Sequence, residues 1–97
     1  MVRVSVEYFG HVRSIFGNRQ RDEIALKSSA NVLDLLCALL ERYGEKFSKA
    51  IYDPSAPDVK ANYMVTVNGV LLNQAEGVKT KLKEGDRVAI LPVVSGG

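Results

Sequence analysis

The sequence predicts an α+β domain of two layers: a sheet of four to five strands with one main helix packed on one face. Three observations carry this. Val2, Val4, Val6 and Tyr8 alternate with Arg3, Ser5, Glu7 and Phe9, the period-two pattern of a half-buried strand. NVLDLLCALLERYG places Val32, Leu35, Leu36, Leu39, Leu40 and Tyr43 at helical spacing, which makes one continuous apolar stripe. TKLKEGDRVAILPVV supplies a second apolar strand near the end. One helix covers only one face of such a sheet, so the opposite face meets solvent.

The remaining elements follow in order. Gly10 and Gly17 bracket HVRSIF, a short turn or helical piece. In RDEIALK, Ile24 and Leu26 alternate, so the first two strands form a hairpin with a long connection. Asn31 caps the helix, with Asp34 three residues on in the capping-box position, and Gly44 is a natural stop. Cys37, mid-helix, reads as a small buried or half-buried thiol. EKFSKAIYDPSAPDVKAN is less regular: one more helical turn, then a loop marked by Pro54 and Pro57. YMVTVNGVLLN reads as strand, turn and short strand, because Asn68-Gly69 is the strongest two-residue hairpin signal. A turn at Glu84-Gly85-Asp86 opens the last strand, with Val88 and Ile90 on one face and Ala89 and Leu91 on the other.

Composition narrows the function. Ninety-seven residues, 46% apolar and 25% charged, make one domain with a core of its own. A net charge of +2 is too small to argue for nucleic acid or an anionic membrane. One cysteine excludes an intramolecular disulfide and an all-cysteine metal site, and His11 has no second histidine to join it. No metal site is expected. No apolar run approaches the roughly 18 residues of a membrane span, and MVRVSVEYFG lacks a signal-peptide core. The expected compartment is the cytoplasm. Lys79, Lys81 and Lys83 read as a wet, charged rim. No acid–base pair, nucleophile or phosphate-cradling loop stands out, so the chain is not expected to be a catalyst by itself.

One stretch carries a specific chemical signal. The chain finishes LPVVSGG, and we expect a domain over 1–92 followed by a flexible tail over 93–97. Two terminal glycines are either a frayed end or a device for delivering the C-terminal carboxylate into a narrow site of another protein. A bare glycine lets its backbone approach a surface closely. From Val93 onward the tail can reach about 17 Å, with Pro92, Val93, Val94, Ser95 and Gly96 as the threading segment. A carboxylate is a poor electrophile, but once adenylated it carries a good leaving group and accepts a sulfur or nitrogen nucleophile.

The stretches YFGHVRSIFG and LKEGDRVAILPVVSGG resemble the two signatures of the MoaD/ThiS family of sulfur carriers. The helix opening NVLDLL and the VNG hairpin extend that resemblance over nearly the whole chain. It is greatest to the branch that serves molybdopterin synthase as its small subunit. The resemblance implies a ubiquitin-like β-grasp fold, with the first and last strands parallel and adjacent at the centre of the sheet. It implies that the Gly97 carboxylate is adenylated and then converted to a thiocarboxylate. Phe9 and Leu91 match positions that form an apolar contact with partners, although Leu91 stands where family members often carry an aromatic residue. Arg13 matches the early signature; it either pairs with a partner's acidic groups or is a solvated turn arginine. The implied partners are an activating enzyme of the ubiquitin-activating type and the molybdopterin synthase large subunit. ATP and magnesium would be used by the activating enzyme, with no cofactor bound by this chain. A protein modifier conjugated through Gly97, or a carrier for thiazole, cysteine or tRNA thiolation, would use the same terminus. The 52–62 loop makes the chain longer than compact members and has no assigned role.

Overall fold

The computed structural model describes residues 1–53, 56–59, 63–72 and 77–92. Strands β1 (Val2–Tyr8) and β2 (Arg21–Leu26) come first, joined through a 3-10 segment over Gly10–Phe16. Helices α1 (Val32–Tyr43) and α2 (Glu45–Ala50) follow, then a small ribbon of β3 (Tyr52–Asp53) and β4 (Ala56–Val59). Strands β5 (Tyr63–Val67), β6 (Val70–Leu71) and β7 (Arg87–Pro92) complete the fold. The main sheet has the order β2-β1-β7-β5-β6. β1 runs antiparallel to β2 and parallel to β7, with Val6 opposite Val88 and Tyr8 opposite Ile90. The pairing of first and last strands is as the resemblance implied.

Strand alternation decides which face α1 covers. Val4, Val6 and Tyr8 of β1, Ile24 and Leu26 of β2, Val65 of β5, and Val88 and Ile90 of β7 are all buried. They meet Val32, Leu35, Leu36 and Leu39 from α1, while Leu40 and Tyr43 are only partly buried. The helix begins where its first amides find side-chain partners. The Asn31 side chain accepts from the Asp34 N–H at 3.0 Å, and Asp34 Oδ2 accepts from the Asn31 N–H at 2.9 Å. It ends at Gly44, whose φ of 69° lies in the region that favours glycine. Asn68 and Gly69 have φ of 52° and 83°, the pair of positive values that a two-residue hairpin turn between twisted strands requires.

Two expectations are corrected. Cys37 is exposed, because Leu35, Leu36 and Leu39 take the inward arc of α1 and position 37 falls outside it. The segment after α1 is more regular than a turn and a loop. Phe47 and Ile51, four residues apart, are both fully buried and fasten α2 to the core. Residues beyond α2 then pair as a ribbon, Tyr52 with Val59 and Asp53 with Ala56. Pro57 lies in β4, which among the described residues pairs with β3 alone, and such an edge tolerates a missing N–H.

Among the described residues the core holds one buried acid. Asp22 lies on the inward parity of β2 and is 3% exposed. Its Oδ2 accepts the hydroxyl of Tyr8 at 2.8 Å and that of Tyr43, while its Oδ1 faces Arg19 Nε at 2.8 Å and Arg42 at 3.7 Å. Burial works against its charge, but the two hydroxyls and two guanidinium groups more than offset this and hold the carboxyl below its ordinary range. Tyr8 and Tyr43 are raised above the usual phenol range, first by burial and then by their bonds to Asp22. The Tyr8 ring also stacks on Phe16, with centroids 3.8 Å apart.

Candidate docking face

The face of the sheet opposite α1 carries the odd residues of β1 and their neighbours. The Phe9 N–H donates to the Ile90 carbonyl at 3.2 Å, which ties the end of β1 to β7. Leu91 is directly opposite Met64 of β5. Phe9, Leu91 and Met64 therefore stand side by side across three strands. With Ala89 and Thr66 they line a shallow groove of about 340 Å³, bounded by Glu7 and Arg87 at its charged end. Phe9 is 38% exposed and Leu91 is half-buried. Leu71, opposite Thr66 and 58% exposed, extends the apolar surface toward the edge. A groove of partly exposed apolar side chains with charge at one end is suited to docking a protein surface rather than to chemistry.

The structure thus brings Phe9 and Leu91 together, as the sequence led us to expect. Arg13 does not line this groove: its Nε donates to the Tyr8 carbonyl oxygen at 3.0 Å and the side chain is half-buried. Pro92 is the last residue of β7. Val93, Val94, Ser95, Gly96 and Gly97, and so the proposed boundary at 92/93, lie outside the described residues. Met64 was missed by sequence reasoning. Its parity within YMVTV was legible, but that β5 is the other neighbour of β7 was not. The three lysines at 79, 81 and 83 are exposed, as expected of a charged rim. Among the described residues no helix is long and apolar enough to cross a membrane.

Comparison with known proteins agrees with this architecture. The model of the ThiS family matches residues 6–97. A molybdopterin synthase sulfur carrier subunit of Mycobacterium tuberculosis is 29% identical over 97 residues, covering 100% of both chains. The solved structure of a putative molybdopterin converting factor, subunit 1, from Pyrococcus furiosus is 32% identical with a TM-score of 0.76, over 97% of this chain and 100% of that one. The small archaeal modifier protein 1 of Methanosarcina acetivorans is 27% identical with a TM-score of 0.76, over 100% of this chain and 98% of that one.

Proposed function

Since the chain belongs to the ThiS family of ubiquitin-like sulfur carriers, we propose that it carries sulfur as a thiocarboxylate on Gly97 and donates it during molybdopterin synthesis. The observation that carries this reading is the apolar groove of Phe9, Met64 and Leu91 at the end of β7, the strand that leads into the Gly-Gly terminus. Full-length similarity to a molybdopterin synthase sulfur carrier subunit supports the choice of pathway. The Gly97 carboxylate oxygen attacks the α-phosphorus of ATP, giving an acyl adenylate and pyrophosphate. A sulfide-equivalent nucleophile then displaces AMP and leaves –COS⁻. The adenylating enzyme and the synthase large subunit hold the reacting groups; this chain supplies the docking face and the terminus.

Conjugation to protein lysines is a second reading, favoured by the similarity to a small archaeal modifier protein. Intact-mass analysis of chain isolated from its natural host separates the two. Exchange of one oxygen for sulfur at Gly97 supports the carrier; heavier lysine-linked conjugates with an unsulfurised terminus would overturn it.

The docking face makes its own prediction. Phe9→Ala or Leu91→Ala should weaken binding to the adenylating enzyme by about 2 kcal/mol, the scale of a central interface anchor. The unfolding midpoint should shift little, because Phe9 is partly exposed. Titration calorimetry and thermal unfolding, run on the same samples, check this. Unchanged affinity with a large loss of stability would return both side chains to the core.

A further inference from the structure

The two edges of the main sheet differ. One edge is β6, a strand of two residues, and so short an edge is poorly suited to template another strand. The other is β2, which keeps six consecutive pairs with β1 and no bulge. Its sequence, RDEIAL, contains no proline, and among the described residues it pairs with β1 alone. The direction of its backbone groups follows from one bond. The Tyr8 N–H donates to the Gln20 carbonyl at 3.0 Å, and continuing the β1–β2 register puts these two residues directly opposite. Hydrogen-bonded pairs alternate along an antiparallel ladder, so Asp22, Ile24 and Leu26 turn their N–H and C=O groups toward β1. Arg21, Glu23 and Ala25 turn theirs outward, and their side chains are exposed on the face opposite α1. Such an edge accepts a further strand, and its side chains choose which one.

We propose that β2 pairs antiparallel with β2 of a second copy of this chain, in the register that sets Arg21 of each copy against Glu23 of the other. Outward groups must meet outward groups, so odd residues face odd residues and only alternate registers are open. One of these places Arg21 against Arg21, another Glu23 against Glu23, and a third Arg21 against Lys27. Each sets like charges face to face, which is unfavourable. The register centred on Asp22 instead forms two Arg21–Glu23 pairs across the two-fold axis. Within one copy Arg21 and Glu23 lie 3.8 Å apart and are both more than half exposed. Such a pair contributes little and is readily exchanged for pairs across the axis. On the helix side Asp22 meets Asp22 of the other copy, and each carboxylate already holds two hydroxyls and two guanidinium groups. The axis stands normal to the sheet, so two five-stranded sheets become continuous and both Phe9–Leu91 faces look the same way. The pairing does not depend on the carrier reading.

Sedimentation equilibrium on the full chain reads the association, with reductant present so that the exposed Cys37 cannot link two copies. A short ribbon makes a weak, transient contact, so dimers are expected only toward millimolar concentration. Arg21→Glu alone and Glu23→Arg alone should each weaken association by roughly tenfold or more, because both pairs across the axis become repulsive. The double variant Arg21→Glu/Glu23→Arg, and an equimolar mixture of the two single variants, should recover it. Both side chains are exposed, so the unfolding midpoints of all chains should agree. Amide hydrogen exchange locates the contact. With rising concentration Arg21, Glu23 and Ala25 should gain protection, while Asp22, Ile24 and Leu26 are protected throughout. A wild-type chain that stays monomeric to millimolar concentration overturns the proposal. So do single variants that associate like the wild type, a double variant or mixture that fails to recover, or protection gained on another element instead.

Discussion

Asp22→Ala is expected to lower the unfolding free energy by about 3 kcal/mol, at the lower end of what breaking a buried charged pair costs. The lower end applies because Arg19 and Arg42 are more than half exposed and stay solvated without their partner. The loss falls on the hydroxyls of Tyr8 and Tyr43, which are left without their acceptor, at about 1–3 kcal/mol for each buried group. For a domain of this size the midpoint should fall by roughly 12–20 °C. The same acid sets a pH dependence. Its folded pKa is depressed, so its contribution is complete above the unfolded carboxyl value of about 3.9 and is lost as pH falls through the folded value. The tyrosines act at the other limit. Their folded pKa values are raised, so their contribution holds below about 10 and declines as pH rises beyond it. Urea midpoints against pH should show a plateau with two shoulders. The acid shoulder should shrink in Asp22→Ala; if both chains share it, other carboxylates set the acid limit.

Adding a single residue after Gly97 is expected to abolish adenylation while leaving the fold intact. The extension moves the reacting carboxylate by about 3.5 Å, and a misplacement of ~1 Å can already cost about a hundredfold. Nothing in the core changes, because the last buried side chain of β7 is Ile90. ATP–pyrophosphate exchange and the unfolding midpoint should be measured on the same preparation. Normal exchange by the extended chain would remove both the carrier and the modifier readings.

Local chemistry in this chain was legible where one physical rule acted alone. Asn31 with Asp34, Gly44, and Asn68-Gly69 each had a single job, and each is found doing it. Strand parity placed Phe9 and Leu91 on the solvent face in advance. What could not be read were relations between distant segments. Asp22 shares its parity with Ile24 and Leu26 and so had to point inward. Its carboxylate is acceptable there only because Tyr8, Arg19, Arg42 and Tyr43 converge from three other segments. The β3–β4 ribbon was hidden by its prolines, whose turn signal outweighed a short edge pairing. Cys37 was misplaced because a small thiol fits either side of a helix, and only the width of the leucine stripe decides.

The central place of β7 has a consequence for how the molecule is made. Ser5 lies beside Arg87 and Tyr8 beside Ile90, so the middle of the sheet joins segments 82 residues apart in the chain. Until β7 emerges, β2-β1 and β5-β6 are two separate hairpins with open edges, and contacts of such long sequence separation form slowly. A nascent or truncated chain that stops before Arg87 should therefore remain unfolded and open to proteolysis. Folding then acts as a proofreading step. A chain that presents the docking face has been translated through β7, and fragments that stop short of it are removed before they compete for a partner.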